Sequence, residues 1–308
     1  MNIQILITQM GKLFIIIFIG YFIYRSKLVN DEFVKVFTEL MLKVTMPAMI
    51  LSSVLNLEER QSFGDVMTAF AVAIALMFVI LPIIGYLLAR LLFVKKEQIG
   101  LYTFMNTYSN IGFMGFPVIA PLCGSVGLFY AAIFNLIFNL SIFSLGIIII
   151  NRGNDNEVRF DPHLLLSPGI IGAVLAIVIY FLDLHFPAII NETIDSVGLI
   201  TSPSAMLLIG CSLATMDIKS IFDEWRLYPW TIIKQLLIPL ALWFPLVLVI
   251  KNPLLLQVAY IMIAMPVANS SALFATSYGG DTQLAAKGIF ISTLFSLVTV
   301  PLVIMIMM

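Results

Sequence analysis

The chain has 308 residues, 61% hydrophobic and 11% charged, with a net charge of −1 and a mean hydropathy of +1.08. Water-soluble domains carry about a quarter charged residues, so a water-exposed surface is excluded. The near-neutral total singles out no charged partner, and no nucleic acid is expected. Cys123 and Cys211 stand far apart in apolar context with no CxxC spacing, which makes them packing residues.

Apolar runs between polar breaks are long enough, at ~1.5 Å per residue, to cross a hydrocarbon core ~30 Å thick. They predict ten membrane spans: 3–24, 33–54, 66–92, 99–122 and 125–150, then 164–184, 193–213, 227–250, 254–278 and 282–308. The first run is not expected to be a cleavable signal, since no basic segment precedes it and no small-residue cleavage site follows. Spans 193–213 and 254–278 are the least apolar.

Basic residues set the direction of these spans. Alternate connections hold Arg25 and Lys27; Arg90, Lys95 and Lys96; Arg152 and Arg159; and Lys219 and Arg226, while the opposite set holds only Arg60 and Lys251. Nine against two places both termini outside and the polar linker 151–163 in the cytoplasm. That linker divides a first half, 1–150, from a second, 164–308, and is too short to be a domain.

The halves resemble each other. Thr45-Met46-Pro47 matches Thr201-Ser202-Pro203 at an offset of 156 residues, which also pairs Gly124 with Gly280, Leu128 with Leu284, and Ile133-Phe134 with Ile289-Phe290. Pro82 and Pro239 differ by 157. Five spans per half is an odd number, so the second half would enter the membrane from the opposite side. The expectation is a five-plus-five inverted repeat; the alternative is ten helices with accidental similarity.

Pro47, Pro82, Pro168 and Pro239 read as simple kinks. Two stretches go further. The fourth span holds Asn106, Ser109, Asn110, Gly112, Gly115 and Pro117 within twelve residues, and the ninth holds Pro266, Asn269, Ser270 and Ser271. Asn110 and Pro266 both lie roughly 15–18 Å from the span starts, so both breaks are expected near the bilayer midplane. Unwound backbone there survives only when buried in protein or lining a watery cavity. Half-helices starting at such breaks aim partly positive amides inward and favour a carboxylate. Two packing kinks, with Asn satisfying local carbonyls, are the competing explanation.

These motifs carry a resemblance. Gly20-Tyr21, the stretch from Leu40 to Leu51 around Pro47, the run from Ser109 to Pro117, Ala264-Met265-Pro266, Tyr278 to Asp281, Ala285-Ala286 and Thr299-Val300-Pro301 resemble the auxin efflux carrier family. That family includes plant auxin exporters and bacterial malate and malonate carriers. The resemblance implies an all-α, ten-helix fold like that of sodium/proton antiporters and bile-acid symporters. In that fold, broken helices 4 and 9 cross to form the substrate site. It implies a scaffold of spans 1, 2, 6 and 7, often a dimer interface, and a mobile transport domain of spans 3–5 and 8–10. The short linker departs from most plant auxin exporters, so regulation through it is not expected.

Charges within spans each have two explanations. Lys35, Glu39 and Lys43 follow an i, i+4 spacing that suits mutual pairing. Lys12, about 14 Å in by residue count, is expected to snorkel. Lys234 and Lys287 lie roughly 8–10 Å from the cytoplasmic edge, where snorkelling and attraction of an anion are both open. Asn135 and Asn139 share one face of span 5, for helix-to-helix bonding or for lining the site. His163 and His185 sit at span ends without metal-ligand partners; no metal or cofactor is expected.

No Asp or Glu falls near the midplane of spans 4, 5, 9 or 10, which weakens a cation antiporter. A deep His to activate a serine is also missing, which weakens an intramembrane hydrolase. A passive channel would need a continuous pore, and nothing encodes a signalling domain. The sequence therefore points to a non-enzymatic carrier of small organic anions in a bacterial inner membrane, with proton and sodium as candidate coupling ions. Its candidate substrate contacts are Asn106, Ser109, Asn110, Gly112, Pro117, Asn135, Asn139, Pro266, Asn269, Ser270, Ser271 and Lys287.

Overall fold

A computed structural model describes residues 3–57, 61–152, 168–215, 223–278 and 280–307. Arg60, Arg159, His163, Lys219 and all of the linker beyond Arg152 lie outside the described residues. Among those described, eleven helical rods follow one another: α1 (Ile3–Arg25), α2 (31–55), α3 (Phe63–Leu91), α4 (Ile99–Thr107), α5 (Ile111–Ile150), α6 (Pro168–Leu182), α7 (Ala188–Thr215), α8 (Leu227–Val249), α9 (Pro253–Ala264), α10 (Ser270–Ser277) and α11 (Thr282–Met307). By length and composition α3, α5, α7, α8 and α11 are each able to cross a membrane, and α6 and α9 are shorter apolar helices.

Caps start several rods where the sequence places a polar residue before an apolar run. Phe33 N donates to Asn30 Oδ1 at 2.9 Å and Asp65 N to Ser62 Oγ at 3.0 Å. Leu254 N and Leu255 N both donate to Asn252 Oδ1, with Pro253 at the first helical position. Such caps satisfy donors that have no partner inside the helix.

At 40 residues α5 would be about 60 Å long if straight, twice the hydrocarbon thickness. Gly124 breaks it, with φ 62° and ψ −160°, a backbone setting that a side chain disfavours. The arms 111–123 and 125–150 fall on either side, at the expected boundary between the fourth and fifth spans.

The expected kinks at Pro47, Pro82 and Pro239 take a specific form. Each proline stands two residues after a five-residue π-turn: Met41–Thr45, Leu76–Ile80 and Ile233–Leu237. Pro117 follows Ile111–Gly115 in the same way. A proline ring presses on the carbonyl four residues back and offers no N–H to it. In all four cases that carbonyl belongs to the π-turn, whose wider loop moves it aside. Pro168 instead is the first residue of α6.

Packing joins α1 to the second half of α7 along bare backbone. A Cβ on Gly20 would lie 2.2 Å from the Leu207 carbonyl oxygen, and one on Gly210 would lie 2.0 Å from that of Ile17. Small residues let membrane helices approach this closely. The second half of α2 packs between α6 and the first half of α7. The remaining rods gather around α5, which lies against α9, α3, α2 and α6. The outer surface is apolar: Ile15, Phe18, Ile19 and Phe22 of α1 and Ile171, Val174, Leu175 and Val178 of α6 are exposed at helical spacing. Lys43 pairs with Glu39 at 2.8 Å on the exposed side of α2, as the spacing predicts.

Candidate functional site

Two non-helical segments meet at the centre of the buried core. α4 stops at Thr107, Tyr108 and Asn110 leave helical geometry, and α5 starts at Ile111. α9 stops at Ala264, Met265 is extended, and α10 starts at Ser270. Between them Ser109 and Val267 form an antiparallel bridge. Asn110 N donates to the Pro266 carbonyl at 2.7 Å and Ala268 N to the Tyr108 carbonyl at 3.0 Å. Each break thus supplies partners for the other's backbone, which answers the cost of unwinding a helix away from water.

Side chains from α11 and α8, and from the far end of α5, hold the crossing. Val267 N donates to Ser292 Oγ of α11 at 3.1 Å. Tyr108 Oη donates to the Ser141 carbonyl at 3.0 Å, and Ser141 Oγ donates to the Met77 carbonyl of α3 at 3.2 Å. From α8, Lys234 Nζ donates to Ser109 Oγ and to the Met265 carbonyl, both at 2.9 Å. Its neighbour Gln235 donates to the Ser292 carbonyl at 2.8 Å and accepts from Thr299 Oγ1 at 3.0 Å.

Lys234 is 1% exposed. It is the only charged side chain buried in the core among the described residues. Both its acceptors are neutral. The π-turn Ile233–Leu237 carries the adjacent pair Lys234 and Gln235, and both are fully buried there.

Two helices begin at the crossing. At the start of α5, Asn110 Oδ1 accepts from Phe113 N at 3.2 Å, while its Nδ2, buried, has no partner. In the first turn of α10, Ser271 is fully buried and its Oγ is likewise unpartnered. A Cβ on Gly112 would touch Met46 of α2, and one on Gly115 would touch Met262 of α9, so the first turn of α5 lies between those helices.

Of the residues singled out from sequence, Ser109, Asn110 and Pro266 lie at the crossing itself. Asn269 and Ser270 are half-buried where α10 starts, and Gly112 and Pro117 belong to the first turns of α5. Asn106 is buried one turn earlier and donates to the Leu81 carbonyl at 3.1 Å, a tie between α4 and α3. Asn139 bonds the Asn135 carbonyl of its own helix at 2.7 Å. Lys287 is half-buried on α11, five residues before Ser292. Lys234, for which snorkelling and attraction of an anion were both open, joins the crossing; sequence reasoning missed Gln235, Ser292 and Ser141, and gave Tyr108 no role of its own. The available signal was Lys234-Gln235, two adjacent polar residues in an apolar run just ahead of Pro239.

A family model described as membrane transport protein matches residues 5–304. Over 297 residues the chain is 25% identical to an uncharacterized transporter of Methanocaldococcus jannaschii, covering 94% of each. It is 24% identical over 307 residues to an uncharacterized transporter of Escherichia coli K12, covering 96% of each. An uncharacterized transporter of Methanothermobacter thermautotrophicus is 24% identical over 292 residues, with 94% of each chain covered.

Proposed function

The chain belongs to the membrane transport protein family, that of the auxin efflux carriers, and from that premise we propose that it is a secondary transporter of small organic anions. A carboxylate binds where the two breaks cross and is carried by alternating access. The halves form an inverted repeat of five spans each. α1, α2, α6 and α7 are the scaffold and the dimer interface, and the remaining rods move as the transport domain. The membrane is a bacterial inner membrane, with both termini outside.

The observation that carries this reading is the balance of charge at the crossing. The buried amine of Lys234, the N-terminal turns of α5 and α10, and the free donors of Asn110 and Ser271 gather there. No Asp or Glu is buried in the core among the described residues. Donors and positive potential without a counter-charge suit an anion. They do not suit a cation exchanger, which needs a deep carboxylate. A cluster of hydrogen bonds ties α3, α5, α6 and the start of α9 at the end of the molecule predicted to lie outside. There Tyr180 Oη of α6 donates to the Gln61 carbonyl at 2.6 Å, Tyr130 Oη of α5 to Gln61 Oε1 at 3.1 Å, and Asn252 to Asp65 Oδ2 at 3.0 Å.

The test is a binding screen on purified full-length protein with lactate, malonate and succinate, each with and without sodium. At least one should raise the thermal midpoint saturably, and the matching neutral amide should not. Equal binding of the amide, or of none of the three acids, would sink the carboxylate site. Orientation is tested separately: a cysteine at position 154 should resist a membrane-impermeant reagent in sealed cells, and one at position 61 should react.

A further inference from the structure

Lys234 has two acceptors, and a lysine side chain can carry two or three protons on its nitrogen. Ser109 Oγ and the Met265 carbonyl, both at 2.9 Å, saturate a neutral amine. The third proton of an ammonium has no acceptor among the described residues, and the positive charge it brings has no carboxylate to meet it. The titratable groups on the elements packed around Lys234 are Tyr228 on its own helix, Tyr260 on α9, Tyr102 on α4 and Lys287 on α11, with Tyr108 in the break. None of these is an acid that would be ionised at neutral pH. Taking an isolated charge out of water is costly, and a buried group answers by giving up its proton unless a counter-ion arrives.

We propose that Lys234 is the coupling residue of this carrier, taking up one proton together with each carboxylate and releasing both on the other side. This rests on the carboxylate reading above. In the empty site the neutral amine holds the two breaks together through its two hydrogen bonds. When the site opens to water, Lys–NH2 takes a proton from the solvent as the anion enters, and the third N–H donates to a carboxylate oxygen. With a monoanion the loaded site is then electrically balanced and is able to cross the membrane barrier without carrying net charge; a dianion keeps one negative charge. On the far side the anion leaves, the proton returns to water, and the neutral amine lets the empty carrier return. The product is one-to-one anion–proton symport through a single residue, with no sodium site.

The position of Lys234 supports a coupling role over a purely structural one. It bridges the two breaks, bonding Ser109 before α5 and Met265 before α10, so its protonation is read directly by the segments that would form the site. A lysine there for packing alone would be replaceable by an apolar chain of the same length, which the equivalent turn in α3 has in Met77.

The experiment uses the full chain in proteoliposomes with a pH-sensitive dye inside and the membrane potential held at zero. Radiolabelled lactate, malonate and succinate are the probes, and protein-free vesicles are the control. Uptake should acidify the lumen by one proton per anion taken up, for lactate, malonate and succinate alike. A lumen one pH unit more alkaline than the bath should accumulate a monoanion about tenfold, with sodium having no effect. Lys234→Gln should abolish gradient-driven accumulation, and Lys234→Arg, which keeps the charge permanently, should permit exchange of internal for external anion but no net uptake. Ser109→Ala removes one acceptor without touching the charge and should shift the pH profile of uptake while leaving the proton count at one. Carboxylate uptake without proton movement, or accumulation by Lys234→Gln equal to wild type, overturns the coupling and leaves the carboxylate reading standing. Failure of wild-type protein to bind or take up any probe overturns both.

Discussion

The π-turn of α3 and that of α8 are the same backbone device with different chemistry. Leu76–Ile80 precedes Pro82 as Ile233–Leu237 precedes Pro239, and an offset of 157 residues superimposes the two. In both, the widened turn relieves the clash with the proline ring. At that offset Met77 corresponds to Lys234 and Phe78 to Gln235. The first turn contributes only its Met77 carbonyl, which accepts from Ser141 beneath Tyr108. The second turn sends a lysine amine into the crossing. The backbone that aims a residue inward is thus present twice, and the ionisable side chain once. One buried lysine between two neutral acceptors leaves room for a counter-ion; a second would double the desolvation cost and repel the first.

The comparison breaks most violently if the first turn is given the chemistry of the second. Met77→Lys places a cation at a buried position with no buried acid to pair with among the described residues, and we expect a loss of about 3–5 kcal/mol, the scale of an uncompensated buried charge. A fall in yield and in the detergent thermal midpoint would measure it. A well-folded, fully stable variant would mean that the α3 turn is open to water.

The reverse change, Lys234→Met, makes the two turns alike. Volume is kept, but the Ser109 hydroxyl and the Met265 carbonyl lose their buried donor, so stability should fall by about 1–3 kcal/mol. Loss of a charged hydrogen bond to the anion is worth about 1.5–3 kcal/mol, so uptake at limiting substrate should drop by roughly 10- to 100-fold. Wild-type uptake would remove Lys234 from the site.

Pro239→Ala and Pro82→Ala probe the backbone device itself. Closing a π-turn to an α-turn rotates the residues before it by about 100°. In α8 that swings Lys234 off Ser109, and transport should fall about tenfold with little change in stability. In α3 it moves only Met77 and Phe78, and transport should fall less than threefold. Uptake assays on matched expression levels decide between them, and an inverted order would contradict the asymmetry.

The smallest effect belongs to the crossing's free donor. Asn110→Ala removes Nδ2 and should weaken carboxylate binding by ~1–2 kcal/mol, while Ser141→Ala, on the α3 side, should cost stability and leave affinity unchanged. Titration of both variants with malonate separates the two.

Much of the architecture was legible along the chain. Helices occur in all the expected stretches, and the proposed boundary between spans 4 and 5 falls at Gly124, because apolar runs and turn residues are local signals. The two breaks were also local: Asn110 with Gly112 in one, and Pro266 with Asn269 in the other, disfavour a continuous helix by their own backbone preferences. The form taken by the prolines was less legible. A proline in an apolar helix reads as a kink, and only the helix around it shows that the strain is absorbed by a π-turn over the preceding residues.

Side-chain roles divided along the same line. Lys43 with Glu39 was readable because both partners sit on one helix. Lys234 was not, because its acceptors, Ser109 and Met265, are 125 and 31 residues away and reach it only through the crossing. Counting residues placed it near a membrane edge, where snorkelling and attraction of an anion were both open. The widened turn faces it inward instead.

By itself, then, the sequence determined that this protein lies in a membrane, where its helices run, where two of them break, and which family it resembles. All of these rest on composition, on neighbours within a few residues, or on motifs carried intact along the chain. Only the tertiary structure decided that the breaks hydrogen-bond to each other, that Lys234 joins them, and that no acid is buried beside it among the described residues. Those are facts about distance between remote segments, and a buried charge takes its meaning from what surrounds it.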